Sequence, residues 1–142
     1  MPERDMKSMC PSAQPEMTGS RVLGVVEGEA GARVRYLSKP LPVDGKVLNL
    51  VTPMRPTEVL RIAADCATTA CTNFDGTHCT LVQRITRLLP PVVSTLPACH
   101  LRPTCRWWHQ EKAEACMRCP QIVTTTVAPA SVQREVAEPP HL

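Results

Sequence analysis

The hydrophobic pattern changes character along the chain. Val22 to Val26 and Arg33 to Leu37 are rich in β-branched residues and partly alternate, and they flank the permissive stretch "EGEAG". This pattern predicts a β-hairpin. "KPLPVDGKVLNLVTPMRP" is a connector with a short helix around Lys46 to Val51, and "TEVLRIAA" predicts a third strand that runs into Cys66. In "TLVQRITRLL", Leu81, Ile85, Leu88 and Leu89 share one helical face, with Arg84 and Arg87 on the other. Pro90 and Pro91 stop that helix. "RWWHQEKAEACMRC" contains good helix formers from Trp107 onward and is followed by Pro120. Residues 1–19 are polar and irregular, and the stretch from Thr124 has no apolar period.

These elements predict an α+β fold: a small hairpin or three-stranded sheet, then cysteine-rich loops and two short helices organised around one or more metal centres. The expected organisation is a single domain over 1–123, β-rich at 20–65 and rich in cysteines and helix at 66–123. Residues 124–142 are expected to form a disordered tail.

Composition explains why metal centres enter the picture. With one Phe, one Tyr, two Trp and 15 prolines in 142 residues, little aromatic area is available for a core. Small or loop-rich domains offset that deficit with disulfides or metals, and eight cysteines are present. The net charge of +3 argues for neither nucleic acid nor a membrane as partner. "MPERDMKSMC" lacks a signal-peptide pattern, and no apolar run reaches spanning length. A cytoplasmic, reducing setting is expected, where cysteine clusters read as metal sites more often than as disulfides.

The spacing is Cys66-x4-Cys71-x7-Cys79, then Cys99-x5-Cys105-x10-Cys116-x2-Cys119-Pro, with Cys10 upstream. Buried structural cysteines would follow apolar periodicity, whereas these lie in polar loops and at element ends. A redox-active Cys116-x2-Cys119 would start a helix after a strand, but this pair sits at a predicted helix end. Tetrahedral zinc commonly uses two short Cys hooks, and only Cys116-x2-Cys119 is one; His78, His100 or His109 could complete such a site. Iron–sulfur clusters take four thiolates with more varied spacing, and Cys-x2-Cys-Pro ends some ferredoxin motifs. The sequence therefore favours one or two 4Fe–4S clusters on Cys10, Cys66, Cys71, Cys79, Cys99, Cys105, Cys116 and Cys119, with zinc as the alternative.

Arg102, Arg106, Lys112 and Arg118 supply positive charge for an anionic centre, and Trp107 and Trp108 could wall it from water. Arg102, Arg106, Trp107 and Trp108 are thus the candidate cofactor-binding residues. An unbroken helix would put Cys105 and Cys116 about 16 Å apart, so they serve different centres unless the helix breaks. No catalytic motif such as H-E-x-x-H, G-x-S-x-G or a P-loop is present. The function expected is electron transfer to, or cofactor support of, a partner redox enzyme. The alternatives are a zinc-stapled module that binds protein or nucleic acid and a small cluster enzyme with an open iron site.

The stretches "CPSAQPEM", "RPTEVLRIAADCATTACTNFDGTHCTLVQRI", "LPPVV" and "CHLRPTCRWWHQEKAEACMRCPQIVT" resemble a small bacterial cysteine-rich family sometimes labelled nitrogen fixation proteins. The similarity covers residues 9–125, most specifically the cysteines and the "RWW…CP" segment. It implies a cysteine-rich architecture, which agrees with the iron–sulfur reading, and transfers no catalytic role.

Overall fold

The computed structural model describes residues 8–28, 33–67, 71–124 and 131–137. It is α+β, with a four-stranded antiparallel sheet and several short helices. The hairpin is β2 (Arg21–Glu27) against β3 (Arg33–Pro42), and most of the "EGEAG" connection lies outside the described residues. The register shifts between Val22 and Gly24. A side chain at Gly24 has no room, since a Cβ there would lie 2.6 Å from Arg35 O and 2.7 Å from Val34 Cγ1. β3 runs past Leu37 through Pro40 and Pro42, which an edge strand tolerates.

After β3, helix α1 (Gly45–Val51) is capped by Asp44, whose Oδ1 accepts from Val47 N at 3.0 Å. "TEVLRIAA" is a strand only in its second half. Pro56–Val59 form a helical turn, α2, with proline at its start, and β4 is Leu60–Asp65. The sheet also has a strand not expected from the sequence, β1 (Met9–Cys10). It pairs with the free edge of β4, placing Met9 opposite Asp65 and Cys10 opposite Ala64. The order is β1-β4-β2-β3, so β4 is interior.

Both faces of the sheet are covered. Val22, Leu60, Ile62 and Ala64 pack with Ala13 and Val47 of α1 on one side. Leu23, Ala63 and Met9 pack on the other with Val82, Ile85, Leu101, Trp107 and Ala115. Cys79, Cys99, Cys105 and Cys119 pack in this second layer.

The amphipathic helix is α3 (Thr80–Leu88). One of its arginines departs from the expected exposed side, because Arg84 is buried. Its Nε donates to Val136 O at 2.6 Å, Nη1 to Thr80 Oγ1 at 3.0 Å and Nη2 to Asn73 Oδ1 at 2.5 Å. Val136 belongs to α6 (Ser131–Ala137), a helix within the segment expected to lack structure, and its side chain joins the core.

The second predicted helix is broken. α4 spans Arg106–Glu111 and α5 spans Ala113–Cys116, with Lys112 between them at φ 57° and ψ −140°. This backbone region is nearly reserved for glycine and costs on the order of 1–3 kcal/mol for other residues. Lys112 is exposed, with Nζ 5.6 Å from the Trp108 ring centroid. Lys112→Gly is therefore expected to stabilise the protein by about 1 kcal/mol. Urea unfolding reads this directly, and a destabilised variant would show that Lys112 carries no net strain.

Candidate metal centres

All eight cysteines are free thiols. Their mutual electrostatics divide them into two sets of four. Cys10 has its pKa pushed up to about 12, chiefly by burial; the Ser12 N–H opposes this, and the charges of Cys79, Cys66 and Cys71 add to it. Cys79 is likewise raised by burial, with Cys71 and Cys66 contributing. In the other set, burial raises Cys99 and Cys105, each of which feels Cys119, and Cys105 also feels Cys99 and reaches about 12. Cys116 is raised by burial and by Cys119, against a lowering hydrogen bond and charge from Arg102.

The first set is assembled by β1, the end of β4 and the start of α3. Pairing of β1 with β4 is extended by Cys66 N–H donating to Ser8 O at 2.9 Å. Asn73 N–H donates to Cys71 Sγ at 3.4 Å. Cys79 caps α3, and the N–H groups of Leu81 and Val82 lower its pKa against burial, although neither completes a cap hydrogen bond. Gln110 of α4 clamps the Cys79 backbone by accepting from its N–H at 2.9 Å and donating to its carbonyl at 3.0 Å.

The second set lines one apolar recess together with Tyr36, Arg102 and Trp107. The recess is narrow, with about 20 Å³ of room, and opens in part to solvent. The break at Lys112 brings this about. It turns α5 out of the line of α4, so Cys105, at the start of α4, and Cys116, at the end of α5, reach the same recess. The expectation that they serve different centres assumed a continuous helix, and the reversal at Lys112 removes that premise. Cys119 follows in a 3-10 turn, Cys119–Gln121.

The four candidate cofactor-binding residues divide. Trp107, 2% exposed, and Arg102 line the recess. Arg102 Nη2 donates to Pro97 O, while its Nε is buried with no partner among the described residues. Trp108 does not line the recess; it lies between Arg102 and Lys112, 5.5 and 5.6 Å from the two cations. Arg106 points elsewhere, stacking 5.3 Å from the Phe74 ring near the first set. Arg118 is engaged with Leu89 O at 2.7 Å and with Glu114. Two candidate histidines have partners of their own. His109 Nε2 bonds Pro103 O at 2.6 Å and His78 Nδ1 bonds Thr77 Oγ1 at 2.9 Å. Among the described residues, no three or more Cys, His, Asp or Glu side chains are arranged to hold a metal ion.

The sequence reading missed Arg61, in the middle of β4 and 0% exposed. Its Nε donates to Pro11 O, and Nη1 to Cys119 O and Ile122 O, all at 2.8 Å; Nη2 donates to Cys119 Sγ at 3.0 Å. Burial pushes the guanidinium pKa down, but its interactions with Cys119 and then Tyr36 more than offset this, so the net shift is upward. Tyr36 is itself raised, by burial and then by Cys119. The signal for Arg61 was a lone cation inside the apolar run "EVLRIAA". No family model, curated protein or solved structure matches the chain.

Proposed function

We propose that the protein is an iron–sulfur protein with a 4Fe–4S cluster on each thiol set, and that it carries electrons to or from a partner redox enzyme. The observation that carries this reading is the sorting of eight free thiols into two all-cysteine sets, each beside a buried arginine with no acidic partner among the described residues. The donor chemistry fits, since each set offers four thiols.

When bound, such clusters supply reversible one-electron chemistry. The chain's own residues would hold them, exclude water and set the surrounding charge. Cys105 is 7% exposed and Trp107 2%, so the second centre would be shielded on its inner side. Arg61 and Arg102 place positive charge beside it, and Arg84 raises the positive potential near Cys79.

The family resemblance is consistent with this reading, as is the expected reducing compartment. Among the described residues, no helix is long and apolar enough to cross a membrane.

Protein purified without oxygen is expected to be brown, with broad absorbance near about 400 nm and about eight iron and eight sulfide per chain. Colourless protein with stoichiometric zinc would overturn the proposal in favour of a zinc-stapled module.

A further inference from the structure

We propose that Arg61 sets the redox potential of the second centre, holding it above the value that the thiolates alone would give. This rests on the reading that Cys99, Cys105, Cys116 and Cys119 carry an iron–sulfur cluster.

Arg61 is a complete cation in a fully buried strand. Such a charge is costly unless it is paired. Among the described residues no carboxylate pairs with it. Three of its hydrogen bonds go to the carbonyls of Pro11, Cys119 and Ile122, which are neutral. The remaining one goes to Cys119 Sγ at 3.0 Å, so a ligand sulfur is the one group it touches that can bear negative charge. The Trp107 ring, 5.5 Å away, covers the guanidinium and keeps water from screening it.

Reduction of the centre takes one electron from an external one-electron donor onto iron. No bond forms or breaks and no proton moves, so the centre and its sulfurs become more negative by one charge. A fixed cation hydrogen-bonded to one of those sulfurs stabilises the reduced form more than the oxidised form, which raises the potential. Arg102 at the same recess donates to Pro97 O and also interacts with Cys116 by hydrogen bond and charge, but it lines the partly open recess, whereas Arg61 is 0% exposed. Arg61 also feels the Cys10 charge, from the first set, though only through space. Its main effect therefore belongs to the second centre.

The test is a dithionite titration of the anaerobic full-length protein, followed by electron paramagnetic resonance. Arg61→Met is expected to lower the potential of one centre and leave the other in place. Arg61→Lys keeps the charge without the fork, and its potential should fall between wild type and Arg61→Met. Arg61 also ties Pro11 to Ile122, so either variant can fail to load. The wild type supplies an independent readout: arginine labelled with nitrogen-15 should show hyperfine coupling to one reduced centre.

A wild type without iron and sulfide defeats the underlying reading. A loaded wild type with no arginine coupling, or loaded variants with unchanged potentials, overturns the role of Arg61 alone. If neither variant loads, the coupling is measured again in Arg102→Met protein: coupling that persists supports Arg61, and coupling lost with Arg102 overturns its role.

Discussion

Cys105→Ala is expected to remove one centre and spare the other. Iron and sulfide should fall to about half, as should the absorbance near about 400 nm. Cys105 lines the second recess with Cys99, Cys116 and Cys119, while Cys10 and Cys79 are electrostatically coupled to Cys66 and Cys71. Cys71→Ala should therefore remove the other half. Pairing the substitutions gives a sharper test. Cys99→Ala added to Cys105→Ala should cost little further, because the set has already failed as a unit, whereas Cys71→Ala added to Cys105→Ala should abolish all iron. If Cys105→Ala and Cys71→Ala prove equivalent and each removes everything, the thiols serve one shared centre and the division into two sets is wrong.

The metal-free protein is expected to lose stability at alkaline pH. Burial pushes the Cys105 thiol from 9.0 to about 12 in the folded state, and Cys10 shifts likewise. The folded chain holds these protons at pH values where an unfolded chain releases them. Their contribution is thus fully present below about pH 9 and is lost as pH rises toward 12. For Cys105 alone that span corresponds to about 4 kcal/mol as an upper bound, at about 1.4 kcal/mol per pH unit. Urea unfolding of reduced, metal-free protein between pH 7 and pH 11 reads the slope. Cys105→Ala should flatten it, and a wild-type midpoint that stays level across this range would contradict the burial of these thiols. Metal loading has the opposite dependence, because a thiol must give up its proton to bind. Raising the pH should therefore weaken the empty fold while favouring the loaded one, and acid should release the metal.

Different parts of this structure left different marks in the sequence. β2, β3 and α3 were legible because each is long enough for its period to show and meets a continuous apolar surface. β1 was not, since two residues carry no period and are fixed by their pairing with β4. The break at Lys112 was also hidden. No glycine or proline marks it, and "HQEKAEA" reads as an uninterrupted helix. The local preference is overridden by placement of Trp107 and Ala115 in one core and of Cys105 and Cys116 on one recess.

The candidate ligands could be read from composition alone, but their grouping could not, because it depends on that break and on β1. Arg84 looked solvent-facing because its face is polar, and the carbonyl that receives it lies in a segment without a pattern. Arg61 was visible only as a conflict between a charge and an apolar strand. Such conflicts mark functional sites more often than the regular positions around them do.

If the first thiol set holds a cluster, the two-residue strand β1 would make it a guard against self-association. β1 covers one edge of β4, the most buried strand of the sheet, and carries Cys10, while Cys66 lies just beyond the end of β4. So short a strand has little hold of its own. A cluster bridging Cys10 to Cys66 would rivet it in place. Oxidative loss of that cluster would free the strand and bare the backbone of Ala64 and Asp65 at the end of β4, an edge open to another chain. Damage to the first centre would then end in aggregation as well as in loss of electron transfer.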